Sequence, residues 1–345
     1  MKNLLIPPKY SPNLDVKQTE QAIKLIKDFF EVSLAAELRL SRVTAPLFVL
    51  RGTGINDDLN GVEKPVSFSI LDMDGQTAEI VQSLAKWKRM MLADYGIQHG
   101  YGLYTDMNAI RPSENLDNLH SLYVDQWDWE KVISPEERTI PFLKEIVRKI
   151  YGVIKRTEFH LSDRYAFIRP ELPDEITFIH SEDLLREYPK LNPRQREEEI
   201  VRKYRAVFVI GIGAPLADGI RHDGRAPDYD DWITKTESGY QGLNGDIIVW
   251  NNVLNCAYEI SSMGIRVDRE ALLKQLEATS TMERKDLYFH RRLLNGELPL
   301  SVGGGIGQSR LCMYFLRKAH IGEVQVGIWP AEMVEVCRSS NIFLL

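Results

Sequence analysis

The chain has 345 residues, 44% of them hydrophobic and 27% charged, with a net charge of −6, which is the composition of a globular protein with one large domain or two modest ones. The acidic balance argues against a dedicated nucleic-acid-binding protein, and no apolar run approaches the roughly 18 residues that a membrane span needs. Three widely separated cysteines give neither a disulfide framework nor a zinc spacing, and no signal-peptide pattern is present, so a cytoplasmic protein is expected.

Apolar periodicity and turn residues predict short strands alternating with blocks of helix. A first helix is predicted over residues 15–40, where Asp15 can cap the first turn, and a second over 84–95, closed by Gly96. A third is predicted over 138–159. Strands are predicted over 47–50, 66–70, 78–81, 101–111, 119–129, 176–180, 206–212, 246–250 and 258–265. Two further helices precede the Gly-rich segment 303–310, which leads into another helix.

This order predicts an α+β fold with a mostly antiparallel central sheet flanked by helices, because strands joined by short turns are followed by helices in blocks. Without internal repeats or linkers, a single domain over 1–345 is expected, with a possible helical insertion at about 134–205. Residues 214–242 are polar and rich in Gly, Pro and Asp. Long segments of this kind are usually functional, and a lid is expected here.

Two features carry charge suited to phosphate chemistry. Arg111 ends a predicted strand, and its planar guanidinium can donate hydrogen bonds to both a phosphate and a carboxylate. A surface ion pair is the alternative for this residue. Asp246 and Glu259 lie on two strands predicted to pair, so both carboxylates can point to one face. Magnesium bridged to phosphates suits such a pair, because it typically takes only one or two protein carboxylates, and a solvated strand face is the alternative.

The Gly-rich segment 303–310 is a third feature. Its glycines let the backbone approach a ligand closely, and the following helix presents its positive N-terminal end. Arg310 lies just inside that helix, where it could stack on a purine or meet a triphosphate. The segment matches neither a Walker A loop nor a dinucleotide-binding fingerprint.

The ordered set of an arginine after a strand, two carboxylates on paired strands and a Gly-rich segment ending in arginine resembles motifs 2 and 3 of the class II aminoacyl-tRNA synthetase fold. Longer strings narrow the resemblance: SLAKWKR at 83–89, GLYT at 102–105, YVDQWDWE at 123–130, RHDGRAPDYDDW at 221–232, GLNGD at 242–246, SSMGIRVD at 261–268 and GGGIGQSRL at 303–311. They are similar to the asparagine synthetase A, or aspartate–ammonia ligase, family from about residue 15 to residue 330. Pro46 stands where motif 1 of that fold builds a dimer interface.

The resemblance implies a catalytic domain that makes L-asparagine from L-aspartate, ATP and ammonia, with AMP and pyrophosphate as products and β-aspartyl-adenylate as intermediate. It also implies magnesium and a homodimer, with no nucleic-acid or membrane partner. Lys2 stands where a glutaminase would carry a nucleophilic cysteine, so free ammonia is the expected nitrogen donor. The alternatives are a synthetase-like enzyme that adenylates an amino acid α-carboxylate and a non-catalytic regulatory relative.

The resemblance also implies roles for individual residues. Those implied for aspartate are Asp57, Ser83, Lys88, Gln126, Asp128, Ser261 and Arg266. Those implied for the nucleotide are Arg111, Arg225, Asp230, Asp246, Glu259, Ser262 and Arg310. Asp246 and Glu259 also carry magnesium, and Arg225 and Asp230 close over the site. The direct catalytic roles fall to Arg111, Arg310, Asp128 and Asp57.

Several choices stay open at the level of sequence. Either Asp57 or Asp58 can face the substrate amine, and the base that deprotonates ammonium can be Asp57, Asp128 or Asp230. A solvated helix face is the alternative for Lys86, Lys88 and Arg89. Trp127 and Trp129 are expected in the core. An ordinary hydrogen bond is expected for His222 in preference to a general-base role, and the seven histidines show no zinc spacing.

Overall fold

The computed structural model describes residues 4–57, 59 and 63–345, so Lys2 and Asp58 lie outside the described residues. The described helices are α1 Val16–Leu38, α2 Ala85–Asp94, α3 Ile140–Ser162, α4 Ser181–Glu187, α5 Pro193–Tyr204, α6 Arg269–Ala278, α7 Tyr288–Leu294, α8 Gln308–Phe315 and α9 Ala331–Ser339. The described strands are β1 Leu40–Arg42, β2 Phe48–Leu50, β3 Ser67–Ser69, β4 Thr77–Ile80, β5 Gly102–Ile110, β6 Tyr123–Val132, β7 Thr177–His180, β8 Ala206–Ile210, β9 Asn244–Asn251, β10 Cys256–Ile265 and β11 Ser301–Gly307.

The central sheet has eight strands in the order β1-β5-β6-β11-β10-β9-β8-β7. Its inner neighbours are antiparallel, and only the two edge pairs, β1 with β5 and β7 with β8, are parallel. A separate antiparallel sheet has the order β2-β4-β3. The predicted α+β class with a mostly antiparallel sheet is therefore confirmed.

The two faces of β6 divide the molecule into a core side and a polar side. Trp127 and Trp129 point to the core as predicted, and the Trp127 ring lies 4.7 Å from that of Phe30 in α1. The α1 helix begins at a capping box, in which the Asp15 side chain accepts from the Gln18 N–H at 2.8 Å. Because successive strand residues face opposite ways, the intervening residues of β6 are left for the other face.

Two predicted elements differ from the structure. The strand predicted from residue 119 begins only at Tyr123, because the Asp117 carboxylate accepts the backbone N–H groups of Leu119 and His120 and closes a turn there. The first helix, predicted to residue 40, ends at Leu38, and Leu40–Arg42 form the edge strand β1 instead. Within the segment 134–205, β7 matches the strand predicted over 176–180. The helix α3 of this segment packs on α1 in the main core, which ties the segment to the rest of the fold.

Residues 214–242, all within the described part of the chain, contain no helix or strand, as predicted. The Gly-rich segment lies mostly in β11, at the centre of the sheet between β6 and β10. No helix among the described residues is long and apolar enough to cross a membrane.

Candidate functional site

Glycines in β11 make room for a row of polar side chains on β6. Gln126, Asp128 and Glu130 alternate along β6 and share its polar face. Gly305 pairs with Asp128, and Gly303 pairs with Glu130. A Cβ on Gly305 would lie 2.6 Å from Asp128 Oδ1, and one on Gly303 would lie 2.5 Å from Glu130 Cδ. These glycines therefore hold space for the site's own side chains, in addition to any ligand.

A β-bulge in β10 brings the two predicted metal carboxylates to one face. Asp246 pairs with Ser262, and Glu259 pairs with Ile248, two residues along β9 from Asp246. Without the extra residue at the bulge, Glu259 and Ser262 would point to opposite faces, because they are three positions apart. Both carboxylates thus face the polar side, as expected from the sequence.

The Ser261 side chain does not lie on the polar face with Asp246 and Glu259. It pairs with Ile306 on the core side, and its hydroxyl donates to the Gly305 carbonyl at 2.9 Å. The expectation that Ser261 lines the floor of the site is wrong, because the resemblance gives the residue but the bulge and the alternation of the strand decide its direction. Ser262, its neighbour, is the serine on the site face.

The α2 helix delivers a buried lysine to the same face. The Lys88 Nζ atom lies 3.1 Å from Asp128 Oδ2 and donates to the Gly304 carbonyl at 3.0 Å. Burial lowers the pKa of Lys88, and the Asp128 carboxylate opposes that effect. Lys86 and Arg89 are buried as well, so the alternative of a solvated helix face is wrong.

Arg266 connects the sheet to the long segment 214–242. Its guanidinium makes a two-pronged ion pair with Glu130, at 3.0 Å from Nε to Oε1 and 2.8 Å from Nη2 to Oε2, and its Nη1 contacts Asp230. Ser301 donates to Glu130 Oε1 at 2.7 Å. Burial raises the pKa of Asp230, with Arg266 opposing. Sequence reasoning missed Glu130, although its alternation with Gln126 and Asp128 was a signal that could have found it.

Arg225 anchors the same segment on β9. Its Nη2 atom lies 2.7 Å from Asp246 Oδ1 and 2.5 Å from Oδ2, and 3.4 Å from the Ser262 hydroxyl. Burial raises the pKa of Asp246 to about 7, Arg225 opposes the rise and Glu259 adds to it. The segment that carries Arg225 and Asp230 thus lies over the polar face at two points. His222, in the same segment, pairs with Glu197 at 2.9 Å, the ordinary hydrogen bond expected.

A cavity of about 200 Å³ is lined by Glu259 and by both predicted phosphate-binding arginines. Arg310 Nη1 donates to the Glu259 carbonyl at 3.1 Å and lies 3.7 Å from its Oε2. Arg111 Nη2 donates to the Gln82 carbonyl at 3.3 Å, whereas its Nε is buried without a partner. Gln126 also lines the cavity, which therefore adjoins the β6 row.

Asp57 lies at the other end of the site. It is buried, its Oδ1 accepts the Leu59 N–H at 3.1 Å, and its Oδ2 has no partner in the part of the chain that the structure describes. Burial raises the pKa of Asp57 to about 6, and Lys86 opposes the rise. Gln82 donates to the Asp57 carbonyl at 2.8 Å. Ser83 is half-buried, and its Oγ accepts the Ala85 N–H at 3.2 Å at the start of α2, so in this structure it serves the helix.

The donor set at Asp246 and Glu259 suits magnesium better than zinc. Two carboxylates on one strand face, beside an arginine-lined cavity, match a cation that shares its remaining ligands with phosphates. The described residues contain no group of three His, Cys, Asp or Glu side chains that could hold an ion by themselves.

Comparison with known proteins gives a consistent picture. The family model of aspartate–ammonia ligases matches residues 17–341. The aspartate–ammonia ligase of Parabacteroides distasonis is 61% identical over 345 residues, and that of Clostridium perfringens is 55% identical over 345 residues, in each case over the whole of both chains.

Solved structures extend this to the fold. The asparaginyl-tRNA synthetase of Pyrococcus horikoshii complexed with asparaginyl-adenylate gives a TM-score of 0.67 at 15% identity, over 90% of this chain and 70% of that one. The asparaginyl-tRNA synthetase of Entamoeba histolytica in complex with asparaginyl-adenylate gives a TM-score of 0.65 at 13% identity, over 90% of this chain and 66% of that one. At such identity the likeness shows a shared class II synthetase fold. Because the family model and the relatives cover almost the whole chain, this protein belongs to the aspartate–ammonia ligase family and is a carbon–nitrogen ligase.

Proposed function

We propose that the polar face of β6, β9, β10 and β11 makes L-asparagine from L-aspartate, ATP and ammonia by way of β-aspartyl-adenylate. The observation that carries the proposal is the adjacency of two unlike groups of side chains. The first lines the cavity and consists of Arg111, Arg310, Glu259 and Gln126, and the second is the buried Lys88–Asp128 pair on the same strand face as Gln126. The first suits a triphosphate and the second a zwitterionic amino acid.

Adenylation is the first step. A carboxylate has no good leaving group, so the β-carboxylate oxygen of aspartate attacks the α-phosphorus of ATP, the bond to the β-phosphate oxygen breaks and pyrophosphate leaves. Arg111 and Arg310 face the cavity where negative charge builds, and the Arg111 Nε atom has no partner among the described residues. Fixed donors of this kind stabilise the developing charge without reorganising during the reaction.

Aspartate is held by the charges around β6. Asp57, whose Oδ2 is unpartnered, and Asp128 receive the α-ammonium, while Lys88 and Ser83 meet the α-carboxylate. Gln126 lines the nucleotide cavity and orients the reacting β-carboxylate towards it. Arg266, held between Glu130 and Asp230, acts by positioning the segment 214–242 over the substrate.

Asp246 and Glu259 would hold magnesium, which when bound supplies positive charge that neutralises the phosphates of ATP. Arg225 occupies both oxygens of Asp246 in this structure and keeps that buried carboxylate compensated. Ser262, within 3.4 Å of Arg225, lies on the same face and contacts the nucleotide side of the site.

The second step joins nitrogen to carbon. Ammonia attacks the acyl carbon of the adenylate, the bond from that carbon to the phosphate oxygen breaks and AMP leaves. The attacking nitrogen loses one proton to water, which gives the amide of asparagine. Free ammonia is the donor, since no glutaminase region is recognisable in the sequence. A cytoplasmic homodimer completes the proposal. The three buried, unpaired cysteines suit a reducing compartment, and Pro46 stands at the dimer-forming motif of the fold.

Product analysis tests the reaction. Purified protein is incubated with magnesium, ATP and aspartate, with either ammonium or glutamine. Equal amounts of asparagine, AMP and pyrophosphate with ammonium alone are expected. Asparagine with ADP and phosphate overturns the adenylate, and pyrophosphate release only in the presence of tRNA favours the synthetase alternative.

The role of Arg111 is tested by exchange of labelled pyrophosphate into ATP in the presence of aspartate, which reports adenylation without ammonia. Arg111→Ala is expected to lower that exchange by about 100- to 1000-fold, the usual cost of losing one such donor. Unfolding by urea checks that the variant still folds. Exchange at the wild-type rate contradicts the assignment.

A further inference from the structure

A second buried polar cluster lies beyond Asp57, on the side away from the nucleotide cavity. Asp228 is fully buried, and its Oδ2 accepts from Lys86 Nζ at 3.0 Å, from His290 Nε2 at 3.0 Å and from Arg284 Nη1 at 3.4 Å. Neither Asp228 nor His290 has a role in the mechanism so far. They come from the segment 214–242 and from α7, so the cluster ties two distant parts of the chain to α2.

Two acceptor atoms of this cluster have no partner among the described residues. Burial would raise the pKa of Asp228, but Lys86, His290 and Arg284 hold it well below its ordinary value, so the group is a carboxylate. A carboxylate only accepts, and His290 must therefore donate through Nε2. In the neutral imidazole Nδ1 then carries a lone pair. Both this Nδ1 and Asp228 Oδ1 are buried and unpartnered.

These atoms belong to residues that line a cavity of about 210 Å³ with one end at the surface. Arg51 and Gly52 line its exposed end, and His290 lines its buried end. Gly54 packs against the ring: its φ is +71°, and a Cβ there would lie 2.9 Å from His290 Nδ1. The Nδ1 atom lies buried behind Gly54, so a small polar molecule in the cavity is separated from it by little more than the glycine backbone, and a larger side chain at residue 54 would obstruct the approach.

The buried end of the cavity adjoins the proposed aspartate pocket. The carboxyl group of Asp57 lies within electrostatic reach of Lys86 and Asp228 on one side and of Arg111 on the other. Asp57 Oδ2 is itself an unpartnered acceptor. Three unpartnered atoms, His290 Nδ1, Asp228 Oδ1 and Asp57 Oδ2, are all hydrogen-bond acceptors, which suits a molecule that only donates.

We propose that this cavity admits ammonium and that His290 Nδ1 takes the proton that ammonium must lose before it attacks the adenylate. The inference rests on the proposed function and names a base for it. One N–H bond of ammonium breaks, the proton joins His290 Nδ1, and the imidazolium is stabilised by Asp228 at its Nε2. Neutral ammonia, with its lone pair free, moves on past Asp57 to the acyl carbon, and the proton returns to solvent through the exposed end of the cavity.

His290→Gln is the variant that tests this. Glutamine can still donate to Asp228 but cannot take a proton. Asparagine formation is measured against ammonium concentration, and hydroxamate formation is measured with hydroxylamine, an amine that is largely unprotonated at neutral pH and needs no base. His320→Gln is the matched control, because His320 is equally buried, also has an unpartnered ring nitrogen and packs on Trp329 far along the chain.

His290→Gln is expected to lower kcat/KM for ammonium by about 100-fold and to leave hydroxamate formation and pyrophosphate exchange near wild type, because general-base catalysis typically contributes this much. His320→Gln is expected to change neither amine's kinetics. Unchanged use of ammonium, or an equal loss with both amines, overturns the inference. If the wild-type protein itself makes no asparagine and AMP, the proposed function fails instead.

A measurement on the wild-type protein covers the case in which His290→Gln does not fold. If the site binds the ammonium ion, KM expressed as total ammonium stays nearly constant between pH 7 and pH 8. If free ammonia binds instead, that KM falls about tenfold over the same unit of pH, because the neutral fraction rises tenfold well below the pKa of ammonium. The second result overturns the proposal.

Discussion

Gly304 and Gly305 are neighbours in β11 that face opposite sides of the central sheet, so alanine at each position tests the register that builds the site. A Cβ on Gly304 would lie 2.5 Å from the Cβ of Met263, in the core. A Cβ on Gly305 would lie 2.6 Å from Asp128 Oδ1 and would also overlap Gln126, on the site face. The same substitution is therefore expected to damage the fold at one position and the chemistry at the next.

The expected sizes of the two effects depend on which atoms the new Cβ would overlap. Two carbon atoms rest about 3.5–4.0 Å apart, so Gly304→Ala must part β11 from β10 by about 1 Å at Met263, whose Cβ cannot rotate away. Overpacking of this kind costs about 1–3 kcal/mol. In Gly305→Ala the obstructing atoms are the ends of side chains, which can turn aside. The fold then survives, and displacing them by about 1 Å costs on the order of 100-fold in kcat/KM for aspartate.

Urea unfolding and pyrophosphate exchange together separate the two effects. Fluorescence of the buried tryptophans reports unfolding, and exchange measured against aspartate concentration reports the site. Gly304→Ala should show the larger loss of unfolding free energy, while Gly305→Ala should show the larger loss of kcat/KM for aspartate. The opposite assignment of effects, or equal effects at the two positions, would show that the strand faces are not as described.

Three more changes probe the buried charges and the strand faces. Glu130→Gln leaves the buried Arg266 without its two-pronged partner and should cost about 3–5 kcal/mol of unfolding free energy, measured by urea titration. Asp57→Asn removes a carboxyl whose pKa burial raises from 3.8 to about 6 in the folded state. Because the folded chain holds that proton between about pH 4 and 6 while the unfolded chain has lost it, stability falls as pH rises through this window. The variant should therefore be more stable than wild type at pH 7, by up to about 3 kcal/mol for two pKa units, with the gain vanishing towards pH 4 and with poorer aspartate binding. Ser262→Ala should raise KM for ATP about tenfold or less, as expected for one neutral hydrogen bond, whereas Ser261→Ala should leave it unchanged. A higher KM for ATP with Ser261→Ala, together with an unchanged KM with Ser262→Ala, would contradict the assignment of Ser262 to the site.

Much of the fold could be predicted because local patterns and tertiary packing agree. The apolar stripe and Asp15 cap of α1 predict the helix that is seen, and the strands predicted over 66–70 and 78–81 are seen as β3 and β4. The start of β6 was predicted too early, because the side chain of Asp117 closes a turn over residues that otherwise suit a strand. Apolar periodicity carries no information about such a side-chain-to-backbone bond.

The site was harder to predict, because the face of the sheet to which a side chain points matters as much as the identity of the residue. Alternation could have found Glu130, since it follows Gln126 and Asp128 at intervals of two. Ser261 was misplaced because a one-residue bulge reverses every face beyond it, and nothing in the local sequence marks that bulge. His290 was missed because its partner Asp228 lies 62 positions away, and only the folded chain brings them together.

The pattern of paired and unpaired charges links the packing of this chain to its chemistry. Buried charges are costly unless they are compensated, and here Glu130 is held by Arg266 and Asp246 by Arg225. Arg225 lies in the segment 214–242, and Arg266 also contacts Asp230 of that segment, so the arginines that make burial of these carboxylates tolerable also fix the segment against the sheet. Asp57 differs, because its Oδ2 has no hydrogen-bond partner among the described residues, although Lys86 and Arg111 lie within electrostatic reach of the carboxyl. A buried acceptor left without a partner costs stability in the empty protein, and binding of a substrate donor there recovers that free energy as affinity. A substrate contact is for this reason expected at Asp57 Oδ2.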